Sequence, residues 1–132
     1  SGKCETRYAV NAACVQAGRP LIVAAAQGLG GQLTGFRPGQ QAGCYHCLYP
    51  QDHTAPDAPT CAQAGVLGAV TGVIGTLQAT EAIKELAGLG MSLVGRLLLW
   101  DALTMRFSDM PVGADPSCTV CGHQQPDFTH HA

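Results

Sequence analysis

The chain is 132 residues long, 46% hydrophobic and 12% charged, with a formal net charge of −2. This balance offers no basic surface for nucleic acid or an anionic membrane, so neither partner is expected. The length suits one compact domain, which we expect to cover residues 1–132. Soluble proteins average about 25% charged residues, so the low charge predicts that part of the surface is buried against another chain.

The longest apolar stretch, residues 62–87, does not predict a membrane span. Charged side chains interrupt it at Glu81, Lys84 and Glu85, whereas a spanning helix needs about 20 mostly apolar residues. The first residues also lack the apolar core of a signal peptide. We therefore expect a cytoplasmic protein, in which cysteines stay reduced.

The first part of the chain alternates a helix with apolar strands. A helix is predicted over residues 5–17, because Gly18 and Pro20 form a typical helix end. The apolar run 21–26 is typical of a strand buried on both faces, as in a parallel sheet. A Gly-rich turn over 27–31 and a strand over 32–37 follow, and this order of elements predicts an α/β fold.

The Gly-rich turn has the composition of a phosphate-binding loop. Such a loop needs a helix directly after it, so that the amides of the helix N-terminus face the anion. The residues that follow here have the pattern of a strand. A tight connection between two strands is the favoured interpretation.

The second part of the chain begins with a Pro-rich irregular segment, residues 38–60. A helix is predicted over 66–88, followed by two strands over 96–101 and 105–110 and an irregular tail from Pro111. Glycines lower the stability of a helix by up to ~1 kcal/mol each. Gly68, Gly72 and Gly75 therefore predict the close approach of a neighbouring backbone to this helix.

Two Cys-x-x-Cys pairs predict a metal site. They are Cys44 with Cys47 in the irregular segment and Cys118 with Cys121 in the tail. This spacing points two thiolates at one ion, and two such pairs complete a closed, structural Zn²⁺ site. Two unrelated or redox-active pairs are the alternative, but redox-active pairs usually lie at a helix N-terminus, and both of these are predicted in loops. His46 and His123 are alternative ligands.

Three further polar or reactive residues are open to interpretation. Cys61 lies between the Pro-rich segment and the long helix, where it is either a reactive thiol or a small buried hydrophobe. Arg7 and Asn11 are one turn apart on the first predicted helix. On their own they are a solvated or capping pair.

Several segments together resemble one family, the MoeB/ThiF/HesA adenylyltransferases related to ubiquitin-activating enzymes. The matching segments are Thr-Arg-Tyr-Ala-Val-Asn at 6–11, Asn-Ala-Ala-Cys at 11–14, Gly-Gln-Leu at 31–33, Gly-Cys-Tyr-His-Cys-Leu at 43–48, Cys-Ala-Gln-Ala-Gly-Val at 61–66, Gly-Val-Ile-Gly-Thr-Leu-Gln-Ala at 72–79, Glu-Ala-Ile-Lys at 81–84, Asp101, and Cys-Thr-Val-Cys-Gly at 118–122. Their order and spacing resemble the C-terminal half of these enzymes over nearly the whole chain.

The resemblance implies an activity. Members bind Mg²⁺ and ATP and adenylylate the C-terminal Gly-Gly of a ubiquitin-like sulfur carrier in thiamine or molybdopterin biosynthesis. In some members a crossover-loop cysteine takes part, and Cys61 occupies its place. The family's ATP-binding residues lie upstream of the matched segments, and Gly2 and Lys3 stand where its Mg²⁺-binding Asp-Asn pair would fall.

The expected fold is therefore half of a Rossmann-like, ubiquitin-activating-type α/β fold. It would have a mixed parallel and antiparallel sheet, packed helices and a pair of zinc knuckles. The leading hypothesis is that the chain is the zinc, crossover and carrier-docking half of an adenylyltransferase, acting as a homodimer. The alternative is a non-enzymatic zinc-stabilised module for dimerisation or carrier binding. Whether the chain alone is active is left open.

Overall fold

A computed structural model describes residues 4–39, 42–51 and 67–122. These ranges contain helices α1 (Cys4–Ala17), α2 (Tyr45–Leu48) and α3 (Gly68–Ala87), and strands β1 (Leu21–Gln27), β2 (Gly30–Phe36), β3 (Arg96–Asp101) and β4 (Arg106–Pro111). The long helices and all four strands lie where the sequence predicts them. Helix α2 is an addition, because it lies inside the segment predicted to be irregular.

The four strands form one sheet in the order β1-β2-β3-β4, and each neighbouring pair is antiparallel. The prediction of a mixed sheet is wrong for these strands, beside which lies an isolated parallel bridge between Gly35 and Val94. The turn between β1 and β2 explains the difference. Gln27 pairs with Gly30, so only Gly28 and Leu29 form the turn, and two residues can join antiparallel strands alone.

The Gly-rich segment is thus a hairpin turn, as predicted, and not a phosphate loop. Gly28 has a φ of 60°, a value suited to the first position of such a turn. Strand β1 lies at the edge of the sheet and six of its seven residues are only half-buried. The prediction of a strand buried on both faces is therefore wrong within the described residues.

Helix α3 covers one face of the sheet. Val70 and Ile74 are buried and pack with Trp100 of β3, as the helical spacing of apolar residues predicts. The helix ends at Ala87 and is followed by Gly88, which has a left-handed φ of 66°. None of the helices in the described ranges is long and apolar enough to cross a membrane.

Among the described residues, the close contact between α3 and the sheet lies at a glycine of the sheet and not at a glycine of the helix. Apart from the helix's own backbone, a Cβ at Gly68, Gly72 or Gly75 would meet no atom of the described residues within 4 Å, so the predicted approach of a backbone is not found among these residues. A Cβ at Gly31 would instead lie 2.5 Å from the Ile74 side chain. Because Gly31 of β2 has no side chain, the Ile74 side chain can pack directly against the sheet.

The opposite face of the sheet contacts α2. Successive residues of a strand face opposite sides, and Gln32, next to Gly31, accepts a hydrogen bond from the Tyr49 hydroxyl just after α2. Phe36 contacts Tyr45 of α2 edge to face, with ring centroids 6.4 Å apart. The two Cys-x-x-Cys pairs therefore belong to the side of the sheet that α3 leaves open.

We expect Gly31→Ala to destabilise the fold by about 1–3 kcal/mol, because the new methyl group overlaps the Ile74 side chain. Gly72→Ala is the matched control, since open space surrounds that position among the described residues. Alanine there should raise helix stability by up to ~1 kcal/mol. Denaturant unfolding of the two variants measures both effects, and equal stabilities would contradict the packing assigned to Gly31.

Candidate metal centre

Four cysteine sulfurs from two distant segments meet at one point. The Sγ atoms of Cys44, Cys47, Cys118 and Cys121 all lie within 4.8 Å of one another. Cys44 and Cys118 sulfurs are 3.8 Å apart, and Cys47 and Cys121 sulfurs 3.4 Å apart. The structure thus brings together both pairs that the sequence singles out.

The arrangement fits a tetrahedral metal ion. Zn–S bonds of about 2.3 Å place neighbouring sulfurs about 3.8 Å apart, close to the observed separations. Disulfide sulfurs would lie about 2.05 Å apart, and these cysteines are free thiols. Four thiolates around one ion leave no coordination position open, so such a centre is structural.

The first pair lies at the start of α2 and within it, and α2 is held in place by contacts between aromatic rings. Cys44 precedes the helix with extended backbone, and Cys47 lies within it. Tyr45 is 1% exposed and its ring contacts those of Tyr8 and Tyr49, each with centroids 5.3 Å away. The prediction that both pairs lie in loops is wrong for this one, although α2 is a single turn.

A side chain of α1 also contacts the first pair. Asn11 is 1% exposed, and its Oδ1 accepts a hydrogen bond of 2.9 Å from the Tyr45 backbone N–H. The prediction of a solvated side chain is wrong for Asn11, because α2 covers it. Its spacing on α1 carries no signal of this burial.

The second pair lies in a segment of turns. Asp115 Oδ1 accepts hydrogen bonds from the backbone N–H and hydroxyl of Ser117, at 2.9 and 2.7 Å. The Cys118 sulfur then lies near the backbone nitrogens of Val120 and Cys121, at 3.4 and 3.5 Å. These N–H groups point at the sulfur, which stabilises it as a thiolate.

A glycine flanks each pair, and at both positions neighbouring atoms leave no room for a side chain. Gly43 has a φ of 76°, and a Cβ there would lie 2.8 Å from the Ala114 backbone and 2.9 Å from the Cys47 sulfur. A Cβ at Gly122 would lie 2.7 Å from the Pro116 carbonyl oxygen. Glycine beside a Cys-x-x-Cys pair is a sequence signal of this tight packing.

Without a metal ion the pKa values of Cys118 and Cys121 are shifted in opposite directions. Burial raises the pKa of Cys118, but the Cys121 and Val120 N–H groups outweigh it and, with Cys47 and His46, hold that pKa to about 6. Burial raises the pKa of Cys121, and its hydrogen bonds to Cys47 and Cys44 raise it further. Thiolates held this close together repel one another, and a divalent cation bound between them offsets that repulsion.

Two histidines and one cysteine of the sequence hypotheses remain. His46 Nδ1 lies 3.6 Å from the Cys118 sulfur, at hydrogen-bond distance, and the cluster of ligand atoms found among the described residues consists of sulfurs. His123 and Cys61 lie outside the described residues. Arg7 and Asn11 both lie beside α2, because Asn11 accepts a hydrogen bond from the Tyr45 N–H and Arg7 lines a small cavity together with Tyr45 and Tyr49.

The chain combines an α/β fold with four converging cysteine sulfurs. The sequence profile of the ThiF family matches residues 3–120. The chain therefore belongs to the ThiF family.

Curated relatives match most of the chain. It is 48% identical over 130 residues to an "Adenylyltransferase and sulfurtransferase MOCS3" of Bos taurus, covering 98% of this chain and 28% of that protein. It is 42% identical over 123 residues to a "Sulfur carrier protein adenylyltransferase" of Thermus thermophilus, covering 90% of this chain and 45% of the relative. The chain thus spans less than half the length of either relative.

Solved structures share the fold at low sequence identity. The structure of E. coli MccB with succinimide covers 90% of this chain and 36% of its own, with a TM-score of 0.71 and 22% identity. A heterocyclase in complex with substrate and cofactor covers 92% of this chain and 19% of its own, with a TM-score of 0.70 and 15% identity. At these identities the likeness establishes the fold alone.

We expect the purified protein to contain about one zinc ion per chain. Cys118→Ser should release it and lower the free energy of unfolding by several kcal/mol, because a closed metal site contributes to folding directly. Cys14→Ser is the control, since that half-buried thiol of α1 is not part of the cluster. Metal analysis that finds no zinc in the reduced protein would contradict the assignment.

Proposed function

We propose that this chain is part of an ATP-dependent adenylyltransferase that acts on the C-terminal Gly-Gly of a ubiquitin-like sulfur carrier. The observation that carries the proposal is the match to a protein named sulfur carrier protein adenylyltransferase over 90% of this chain at 42% identity. The reaction joins the carrier carboxylate to the α-phosphate of ATP and releases pyrophosphate. Thiamine or molybdopterin biosynthesis is the kind of pathway that such a carrier serves.

In this proposal the chain supplies one half of the catalytic unit. It would be the zinc-binding and crossover half, folded as a single domain, with the residues that bind ATP and Mg²⁺ outside these 132 residues. The expected place in the C-terminal half is not confirmed, because the chain matches the N-terminal part of its longer relatives. The described fold supports this division. Its Gly-rich segment is a hairpin turn between β1 and β2, which lacks the helix that a phosphate loop requires.

We assign Zn²⁺ to the four-cysteine centre, in a structural role. The sulfur separations support tetrahedral coordination, and an all-thiolate ligand set is typical of structural zinc. The centre connects α2 to the segment that follows β4, so the ion would stabilise the surface on that side of the sheet. Thiolate ligands are maintained in a reducing compartment, which supports a cytoplasmic location.

Exposed apolar side chains support the proposed protein partners, a sulfur carrier and a second copy of this chain. Ile83, Leu86, Leu89 and Met91 lie at and after the end of α3, with Leu86 86% exposed. A second group surrounds the β3–β4 turn and strand β4, and its members are Leu103, Met105, Phe107 and Met110. Apolar surface of this kind marks interaction sites in soluble proteins.

The division into halves predicts weak nucleotide binding by these 132 residues alone. Calorimetry should give a dissociation constant for Mg-ATP no tighter than millimolar, about −4 kcal/mol. A micromolar constant, or carrier-dependent ATP–pyrophosphate exchange by this chain alone, would contradict the division. Joined to the ATP-binding half of a ThiF-family enzyme, the chain should support that exchange. Carrier binding without exchange would instead favour the non-enzymatic module.

Cys61 is proposed as the crossover-loop thiol, and its reactivity can be measured directly. A bound metal should protect the four ligand cysteines from alkylation at neutral pH, and packing should slow the half-buried Cys14. Cys61 should therefore react ahead of these five cysteines, because reactivity follows accessibility and thiolate content. In the joined enzyme, Cys61→Ser should retain adenylylation and lose sulfur transfer. Sulfur transfer at the unmutated rate would make Cys61 a structural residue.

A further inference from the structure

His46 belongs to the first Cys-x-x-Cys pair in the sequence but contacts the second pair in space. Its Nδ1 atom lies 3.6 Å from the Cys118 sulfur, at hydrogen-bond distance, and the two residues are 72 positions apart. His46 lies on α2, whereas Cys118 lies in the segment that follows β4. A side chain therefore connects the two pairs, in addition to the contacts between their sulfurs.

Three nitrogen atoms surround the Cys118 sulfur at nearly the same distance. The backbone nitrogens of Val120 and Cys121 lie 3.4 and 3.5 Å from it and donate their hydrogens to it, and the His46 nitrogen lies only slightly farther away. A ligand to a metal is the thiolate, which carries no hydrogen of its own. The contact with His46 is then a hydrogen bond only if Nδ1 carries the hydrogen.

The orientation of the His46 ring is supported by α1. The Tyr8 ring contacts it edge to face, with ring centroids 6.1 Å apart and an angle of 69° between the ring planes. The Tyr8 hydroxyl in turn donates a hydrogen bond of 2.7 Å to the carbonyl oxygen of Tyr49, just after α2. The packing of α1 against α2 therefore holds Nδ1 beside the Cys118 sulfur.

We propose that His46 is a positioning residue of the metal centre, which donates a hydrogen bond from Nδ1–H to the metal-bound thiolate of Cys118. The inference rests on the proposed metal site. Four thiolates and one Zn²⁺ carry a net charge of −2, and donors outside the ligand set offset that charge and fix the orientation of the ligands. Cys118 is 6% exposed, so groups of the protein supply these donors in place of water.

Two substitutions of His46 separate a donor role from a role in packing. His46→Phe keeps a ring beside Tyr8 and removes the donor, whereas His46→Asn removes the ring and keeps an N–H donor. We expect His46→Phe to lower Zn²⁺ affinity by about 10- to 100-fold. It should also shift the thiolate-to-metal charge-transfer band of the Co²⁺ form to lower energy, because the sulfur loses a hydrogen bond. His46→Asn, the matched control, should stay closer to the unmutated protein in both properties.

The reverse order of the two variants would overturn the proposal. If His46 contributed only its ring contact with Tyr8, His46→Phe would be tolerated and His46→Asn would be the more damaging change. Zn²⁺ affinity and a Co²⁺ spectrum unaltered by His46→Phe would likewise exclude the donor role.

A second measurement needs no substitution and decides the question if a variant does not fold. In ¹⁵N-labelled protein loaded with Zn²⁺, the ¹⁵N chemical shifts of the His46 ring distinguish a nitrogen that carries hydrogen from one that does not. We expect the shift of a protonated nitrogen at Nδ1. An unprotonated Nδ1 would overturn the proposal while leaving the metal site intact, and a reduced protein that binds neither Zn²⁺ nor Co²⁺ would overturn both.

Discussion

The meeting of four cysteine sulfurs is the constraint on which one whole side of this structure depends. The contacts Cys44–Cys118 and Cys47–Cys121 each join residues 74 positions apart, and both segments consist of single turns. Short segments of this kind bury little apolar surface of their own. A zinc ion at their junction would contribute on the order of 10 kcal/mol, which is comparable to the stability of an entire domain.

The sheet separates this junction from the main apolar core. Gly31 of β2 faces Ile74 of α3, and the next residue, Gln32, bonds to Tyr49 on the other face. One strand therefore lies between an apolar core of Val70, Ile74 and Trp100 and the cluster of Val15, Cys44 and Cys118. Each face depends on a different interaction, namely close apolar packing on one and sulfur convergence on the other.

Membership of the ThiF family identifies the fold of this chain, whereas the partial coverage of its relatives leaves their whole activity as a proposal. The family match covers residues 3–120, so the fold of this range is that of the family. The relatives extend well beyond the matched region, since 28% and 45% of their lengths are covered. Adenylyl transfer is therefore proposed for an assembly to which this chain contributes the cysteine centre and the proposed thiol of Cys61.

The sequence by itself determined the long helices, the four strands and the two cysteine pairs, because each depends on local periodicity or spacing. It did not determine the antiparallel sheet, since the apolar run of β1 suits either direction and the two-residue turn decides it. Nor did it distinguish Gly31, which α3 contacts, from Gly72, which meets open space among the described residues. The role of Asn11 likewise required tertiary structure, because the burial of a polar side chain depends on what a distant segment, here α2, places over it.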